Sequence, residues 1–195
     1  MKKGAYKNQK LKPAVFLDRD GTINEDVGYF CSHDQFQLIP RALDALRLLQ
    51  DKYVLFIVTN QSGVARHVFT ESELIRFNQE IEGVLKAEGI HIQKTYYCPH
   101  LPEDGCLCHK PSDFFLREAE QEFHIDLKGS VVAGDHPHDI EMAHRAGASA
   151  VYLLTGHGTK HRSELDSIRP PDLIAQNIYE AAVWIMNMCH DKQEV

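Results

Sequence analysis

Short apolar runs alternate with amphipathic ones along almost the whole chain. "PAVFLD" (13–18), "YVLFIVT" (53–59), "IQKTYYC" (92–98), "SVVAGD" (130–135) and "SAVYLLT" (149–155) are rich in β-branched and aromatic residues and short enough for buried strands. Between the first two, Leu43, Leu46 and Leu49 recur at helical spacing after Pro40. A second helix is predicted from the cap-like Thr70, with Leu74, Phe77, Ile81, Val84 and Leu85 on one face and Gly89 as its stop. Further helices are expected from Pro111-Ser112, along "DIEMAHRAG" and, after a short strand, at the chain's end. Strands alternating with helices imply a mainly parallel sheet covered on both faces, an α/β three-layer doubly wound sandwich.

Composition narrows the class. The 195 residues suit one domain, 1–195, with residues 1–12 expected to be flexible. No run of about 18 apolar residues predicts a membrane span, and the basic start lacks an apolar leader, so the cytoplasm is the expected compartment; a monomer is the expected state. A net charge of −7 argues against a nucleic-acid partner. Three of the five cysteines, Cys98, Cys106 and Cys108, fall within eleven residues, which suggests a metal and not a disulfide framework.

The chemistry is read at the strand ends, because ligands of such sheets bind beyond the carboxyl ends of the strands. Asp18 and Asp20 follow the first strand and point to the same side. At ~4 Å and an effective dielectric of about 20, they repel by roughly 4 kcal/mol, so something positive belongs beside them. Thr59, Asn60, Gln61 and Ser62 end the second strand, and Asp135 and Asp139 follow the fourth. Any one of these is an ordinary cap or turn residue; together they make an oxygen-rich site for a hard cation such as Mg²⁺.

"FLDRDGTIN", "VTNQSGVAR", "KPS" and "VAGDHPHDIEMAHRAGA" resemble, in order, the four motifs of the haloacid dehalogenase-like phosphatases. The loop "YYCPHLPEDGCLCHKP" is similar to that of the branch holding heptose bisphosphate and histidinol-phosphate phosphatases. The resemblance implies Asp18 as nucleophile forming an aspartyl-phosphate and Asp20 as general acid and base. It further implies Thr59 and Lys110 on the phosphoryl oxygens and Mg²⁺ held by the Asp18 carboxylate, the Asp20 carbonyl and Asp135, with Asp139 orienting the site.

Cys98-x-His100 and Cys106-x-Cys108 supply four N/S ligands, the set a closed structural Zn²⁺ site uses; the bland alternative is buried thiols and a turn. The zinc loop, 98–108, would then anchor Lys110, while Cys31 and Cys189 are expected to be ordinary structural residues. Only 38 residues separate Asp20 from Thr59, too few for a helical cap domain, so the expected fold is capless and its site open to a small polar substrate. Selectivity is expected from Asp26, Val27, Gly28 and Tyr29, from Asn60, Gln61 and Ser62, and from the residues beside Lys110. His109 and His136 stand where the family pattern usually has arginine and lysine, so substrate affinity is expected to weaken as pH rises through neutrality. The implied substrate is D-glycero-D-manno-heptose 1,7-bisphosphate, losing its 7-phosphate, with histidinol phosphate or another small phosphomonoester as the alternative. A phosphotransferase would need a cap, and a non-catalytic phosphate-binding zinc module has no need of both Asp18 and Asp20.

Overall fold

The computed structural model describes residues 11–29 and 36–191. Six parallel strands form one sheet: β1 (Ala14–Leu17), β2 (Val54–Asn60), β3 (Ile92–Cys98), β4 (Val131–Gly134), β5 (Ser149–Leu153) and β6 (Leu173–Ala175). Their order is β3-β2-β1-β4-β5-β6. Winding runs outward from β1 through β2 to β3, then returns to the other side of β1 with β4, so the topological switch lies between β1 and β4.

The alternation along β1 shows why the sheet is covered twice. Val15 and Leu17 pack into a core with α1 (Ala42–Gln50), α2 (Glu71–Ala87) and α6 (Ile178–Asp191), whereas Ala14 and Phe16 face α3 (Phe114–Phe123) and α4 (Pro137–Ala146). Phe56 anchors the second core, stacked at 5.1 Å on Phe16 and tilted against Phe123 at 5.4 Å. Every residue of β1 is fully buried, which is why its sequence reads as a continuous apolar run.

Thr70 caps α2 as expected: its Oγ1 accepts from the Glu73 amide at 3.2 Å, and the Glu73 carboxylate accepts from the Thr70 amide at 2.7 Å. Asn78 joins the buried face of α2 beside Phe77 and Ile81. The α3 helix begins at Phe114 and not at Pro111-Ser112, because Ser112 is spent in the loop, donating to the Leu107 carbonyl at 2.5 Å and accepting from the Phe114 amide at 3.3 Å. Lys12, at the end of the start expected to be flexible, is joined to the fold: its amide donates to the His124 carbonyl and its own carbonyl accepts from the Asp126 amide. The rest of the expected flexible start, 1–10, lies outside the described residues, as do Cys31 and the side chain of Cys189. The pattern gave no sign of α5 (Gly158–His161), which leads directly into a 3-10 helix (Arg162–Ser167). No helix among the described residues is long and apolar enough to cross a membrane.

The α2 cap is separable from the site. Thr70→Ala should lower stability by about 1 kcal/mol with the denaturant dependence unchanged, as read from a urea unfolding curve.

Candidate active site

The carboxyl ends of β1, β2 and β4 open onto a cavity of about 450 Å³ lined by Asp18, Asp20, Thr59, Lys110 and Asp135, among others. Among the described residues lining it, Lys110 is the single permanent cation, and its ammonium is fully committed. Nζ lies 2.8 Å from Asp18 Oδ1 and donates to Asp139 Oδ1 at 2.7 Å and to the Val58 carbonyl at 3.1 Å. Those three partners use all of an ammonium's donors. Burial works against the charge of Lys110, but Asp139 and Asp18 outweigh it and hold its pKa above the usual lysine range.

The Lys110 backbone is held as firmly. Its amide donates to Asn60 Oδ1 at 3.1 Å, so Asn60, expected to contact substrate, holds the backbone of the lysine. Two residues upstream the loop closes on itself. Cys98 Sγ lies 3.6 Å from His100 Nδ1, 3.6 Å from Cys106 Sγ and 3.1 Å from Cys108 Sγ; His100 Nδ1 is 3.3 Å from Cys108 Sγ. Tetrahedral zinc with Zn–S near 2.3 Å separates its ligands by about 3.8 Å, so these four atoms already lie close to the edges of such a tetrahedron. All three sulfurs are free thiols.

A second convergent set is made of oxygen. Ligand oxygens of Asp18, Asp135 and Asp139 lie within 4.8 Å of one another. Burial, partly offset by Lys110, pushes Asp18 up to about 7, and burial with the charges of Asp18 and Asp139 pushes Asp135 up to about 8. One ammonium does not neutralise three carboxylates, and the surplus is what a hard dication balances. The pocket around Asp135 is tightly drawn. A Cβ on Gly21, whose φ is +79°, or on Gly156 would overlap Asp135 Oδ2, and the His157 amide donates to that oxygen at 2.7 Å.

Asp20 is held differently. Arg19, only 1% exposed, grips it with two hydrogen bonds, Nε to Oδ1 at 3.1 Å and Nη2 to Oδ2 at 2.8 Å. Asn24 and Gln61 add donors at 2.9 and 2.7 Å. Burial alone would raise its pKa, but Arg19, Asn24 and Gln61 together hold it below the usual carboxylate range. The positive partners demanded by the Asp18/Asp20 pair therefore include two of the chain's own side chains, Lys110 and Arg19. Strand alternation sends Arg19 to the opposite face, where its Nη1 reaches Asn78 Oδ1 at 2.8 Å, and only its long stem lets the head return to Asp20.

The remaining expected residues divide. Asp26, Gly28, Tyr29, Asn60, Gln61, Ser62 and His136 line the cavity; Val27 and His109 do not. Val27 is 53% exposed, and His109 Nδ1 is 2.7 Å from the Lys110 carbonyl, facing the loop's own backbone. Gln61 bridges Asp20 and Thr59 Oγ1, at 2.7 and 2.9 Å, so its amide is engaged within the site. His136 is not the titrating cation expected near neutrality: its Nδ1 accepts the His138 amide, and burial and the neighbouring His138 lower its pKa to about 4. His138 and His157 also line the cavity and were not foreseen. The signals for both are in the sequence, His138 two residues after His136 and His157 just past the fifth strand.

Comparison with known proteins gives a consistent picture. A family described as HAD-hydrolase-like matches residues 107–181. The D-glycero-beta-D-manno-heptose-1,7-bisphosphate 7-phosphatase of Yersinia pestis is 34% identical over 188 residues, covering 92% of each chain. A probable D-glycero-D-manno-heptose-1,7-bisphosphate 7-phosphatase of Thermoplasma acidophilum is 43% identical over 129 residues, 66% of this chain and 80% of that one. The crystal structure of the D,D-heptose 1,7-bisphosphate phosphatase from B. bronchiseptica, complexed with magnesium and phosphate, superposes with a TM-score of 0.80 at 30% identity, covering 90% of this chain and 99% of that chain.

The raised carboxyls give a testable pH dependence. A carboxyl whose folded pKa exceeds its unfolded value of 3.8 binds more protons folded than unfolded between the two, so stability falls as pH rises through that interval. Metal-free protein should lose stability, by the order of a few kcal/mol, from about pH 4 to the folded values of about 7 for Asp18 and about 8 for Asp135. Asp20, shifted the other way, contributes a loss only in more acidic solution. Melting curves in chelator from pH 5 to 8.5 should show the decline, and adding Mg²⁺ should abolish it.

Proposed function

The chain belongs to the haloacid dehalogenase-like family and is a phosphoric monoester hydrolase; we propose that it removes the 7-phosphate of D-glycero-D-manno-heptose 1,7-bisphosphate through an aspartyl-phosphate on Asp18. One observation carries the mechanism. Asp18 and Asp20 face one small cavity, the first against a buried ammonium at 2.8 Å and the second locked by Arg19 and Gln61. The substrate reading is supported by relatives named for that sugar, one of which aligns over nearly the full length of this chain.

In this reading an Asp18 carboxylate oxygen attacks phosphorus, the ester P–O bond breaks, and Asp20 delivers a proton to the departing oxygen. Water then attacks the aspartyl-phosphate, with Asp20 taking its proton. Arg19, Asn24 and Gln61 keep Asp20 ionised in the free site, so the proton for the first step arrives with the substrate. A phosphate anion beside Asp20 favours its protonated form, and the loss of that anion restores the base. The Thr59 hydroxyl, whose oxygen accepts from Gln61, keeps its proton as a fixed donor for the phosphoryl group, while the Lys110 ammonium sets its charge against the attacking oxygen. Mg²⁺, held by the carboxylates of Asp18 and Asp135 and the Asp20 carbonyl, supplies the positive charge that keeps Asp18 ionised and offsets the phosphoryl oxygens. Zn²⁺ on Cys98, His100, Cys106 and Cys108 would be structural, keeping the loop that carries Lys110 in place. We also read the chain as a monomeric single domain of the cytoplasm, a reading supported by three thiols that must stay reduced to bind metal.

Phosphate release from the heptose bisphosphate, with histidinol phosphate as comparator, tests the assignment directly. Turnover should require Mg²⁺, favour the heptose and fall about a thousandfold or more in Asp18→Asn, with the circular dichroism and zinc content unchanged. Asp18→Asn retaining wild-type turnover would rule out the covalent route, and faster turnover of histidinol phosphate would reassign the substrate.

The metal loop is tested by composition. Purified, reduced protein should carry about one zinc per chain, and Cys106→Ser should lose it and lower both the melting temperature and activity. Metal analysis that finds no zinc in the wild type would remove the structural role.

A further inference from the structure

Five imidazoles form a chain of ring contacts that begins among the residues lining the cavity and runs past them. The His136 ring lies 4.5 Å from His138 and 4.7 Å from His161; His161 lies 5.8 Å from His157, and His138 lies 6.4 Å from His109. Neither the carboxylate cluster nor the cysteine loop uses His161, which closes α5, or Glu164, in the 3-10 helix that follows. Yet one ligand atom each from His136, His161 and Glu164 lie within 4.8 Å of one another. The set combines the imidazole of His136, at the start of α4, with an imidazole and a carboxylate on a turn that has little apolar sequence of its own.

We propose that His136, His161 and Glu164 form a third metal site, one for a transition-metal dication of the zinc and nickel class, at the rim of the catalytic cavity. The donor chemistry selects this class: imidazole nitrogen with a single carboxylate suits borderline ions, whereas Mg²⁺ takes oxygen. His136 has one nitrogen to give, because its Nδ1 already accepts the His138 amide at 3.2 Å, and that bond fixes the ring with Nε2 as the ligand. His161 is oriented by Glu164, whose Oε1 lies 2.5 Å from its Nδ1. The carboxylate either ligates directly or fixes the ring from behind, and both arrangements are usual around metal-bound histidine. The Glu164 side chain is more than half exposed, so it can close the remaining distance without disturbing the core. Two or three protein ligands leave open positions on the ion. Because His136 lines the cavity, a dication on this site would place a second strong positive charge beside a pocket whose one lysine is already fully bonded. The proposal does not depend on the phosphatase reading.

The experiment is equilibrium dialysis of the full chain against Ni²⁺ in excess Mg²⁺, with metal analysis, for wild type, His161→Ala and Glu164→Gln. The other metal sites are common to all three proteins, so the difference between isotherms isolates this one. Wild type should bind one more Ni²⁺ per chain than His161→Ala at the same free concentration, and Glu164→Gln should weaken that binding by about tenfold or more. Glu164→Gln replaces an exposed side chain by its isostere and so keeps the test valid even if His161→Ala unfolds. An isotherm that superimposes on wild type for either variant overturns the proposal.

Discussion

The site depends on one buried ammonium. Lys110 Nζ touches Asp18 just past the end of β1, Asp139 in α4 and the carbonyl of Val58 in β2, and so joins three parts of the fold at a point from which water is nearly excluded. A buried ion pair is a poor source of net stability, since desolvation offsets much of the attraction. Its worth here is positional. With the lysine in place, Asp139 is satisfied and Asp18 has a fixed oxygen direction; without it, the carboxylates of Asp18 and Asp139 would be left together in a dry space with nothing between them. The cysteine loop and Asn60 make sense in the same terms, as the means of delivering that one side chain from outside the sheet.

The sheet order makes the convergence possible. Outward winding on both sides of β1 leaves a gap at the carboxyl ends of β1 and β4, and Asp18 and Asp135 come from those two ends. They can approach because the backbone on the facing loops has no side chains in the way. Gly21 and Gly156 both press on Asp135, and the Thr155 hydroxyl binds the Gly21 carbonyl at 2.7 Å, drawing the β5 loop against the first motif.

Much of this was legible in the sequence. Strand and helix periods revealed the layers, because strands buried on both faces read as unbroken apolar runs. The aspartates at strand ends marked the site, since one alone is an ordinary cap or turn residue but several at the same edge of a parallel sheet converge on the place where its ligands bind. Arg19 was not legible as a partner: alternation sends it away from Asp18 and Asp20, and only three dimensions show its head returning. The α5 turn with His161 and Glu164 was missed because it has almost no apolar residues to set a period, and His157 because the β5 end was not searched as the other strand ends were. His109 was placed in the cavity by its neighbour Lys110, but adjacent residues in a loop need not face the same way.

The guanidinium of Arg19 also reaches beyond the site. It bonds Asp20 on one side and Asn78 of α2 on the other, and it lies 5.2 Å from the Phe77 ring. The acidity of the Asp20 carboxyl is therefore tied to a helix whose outer face is bathed in solvent. Sliding or rolling of α2 would reach the reaction as a change in proton affinity, with the reacting atoms still in place, so a mutation on that helix far from any substrate can retune the pH optimum while leaving the geometry of catalysis intact.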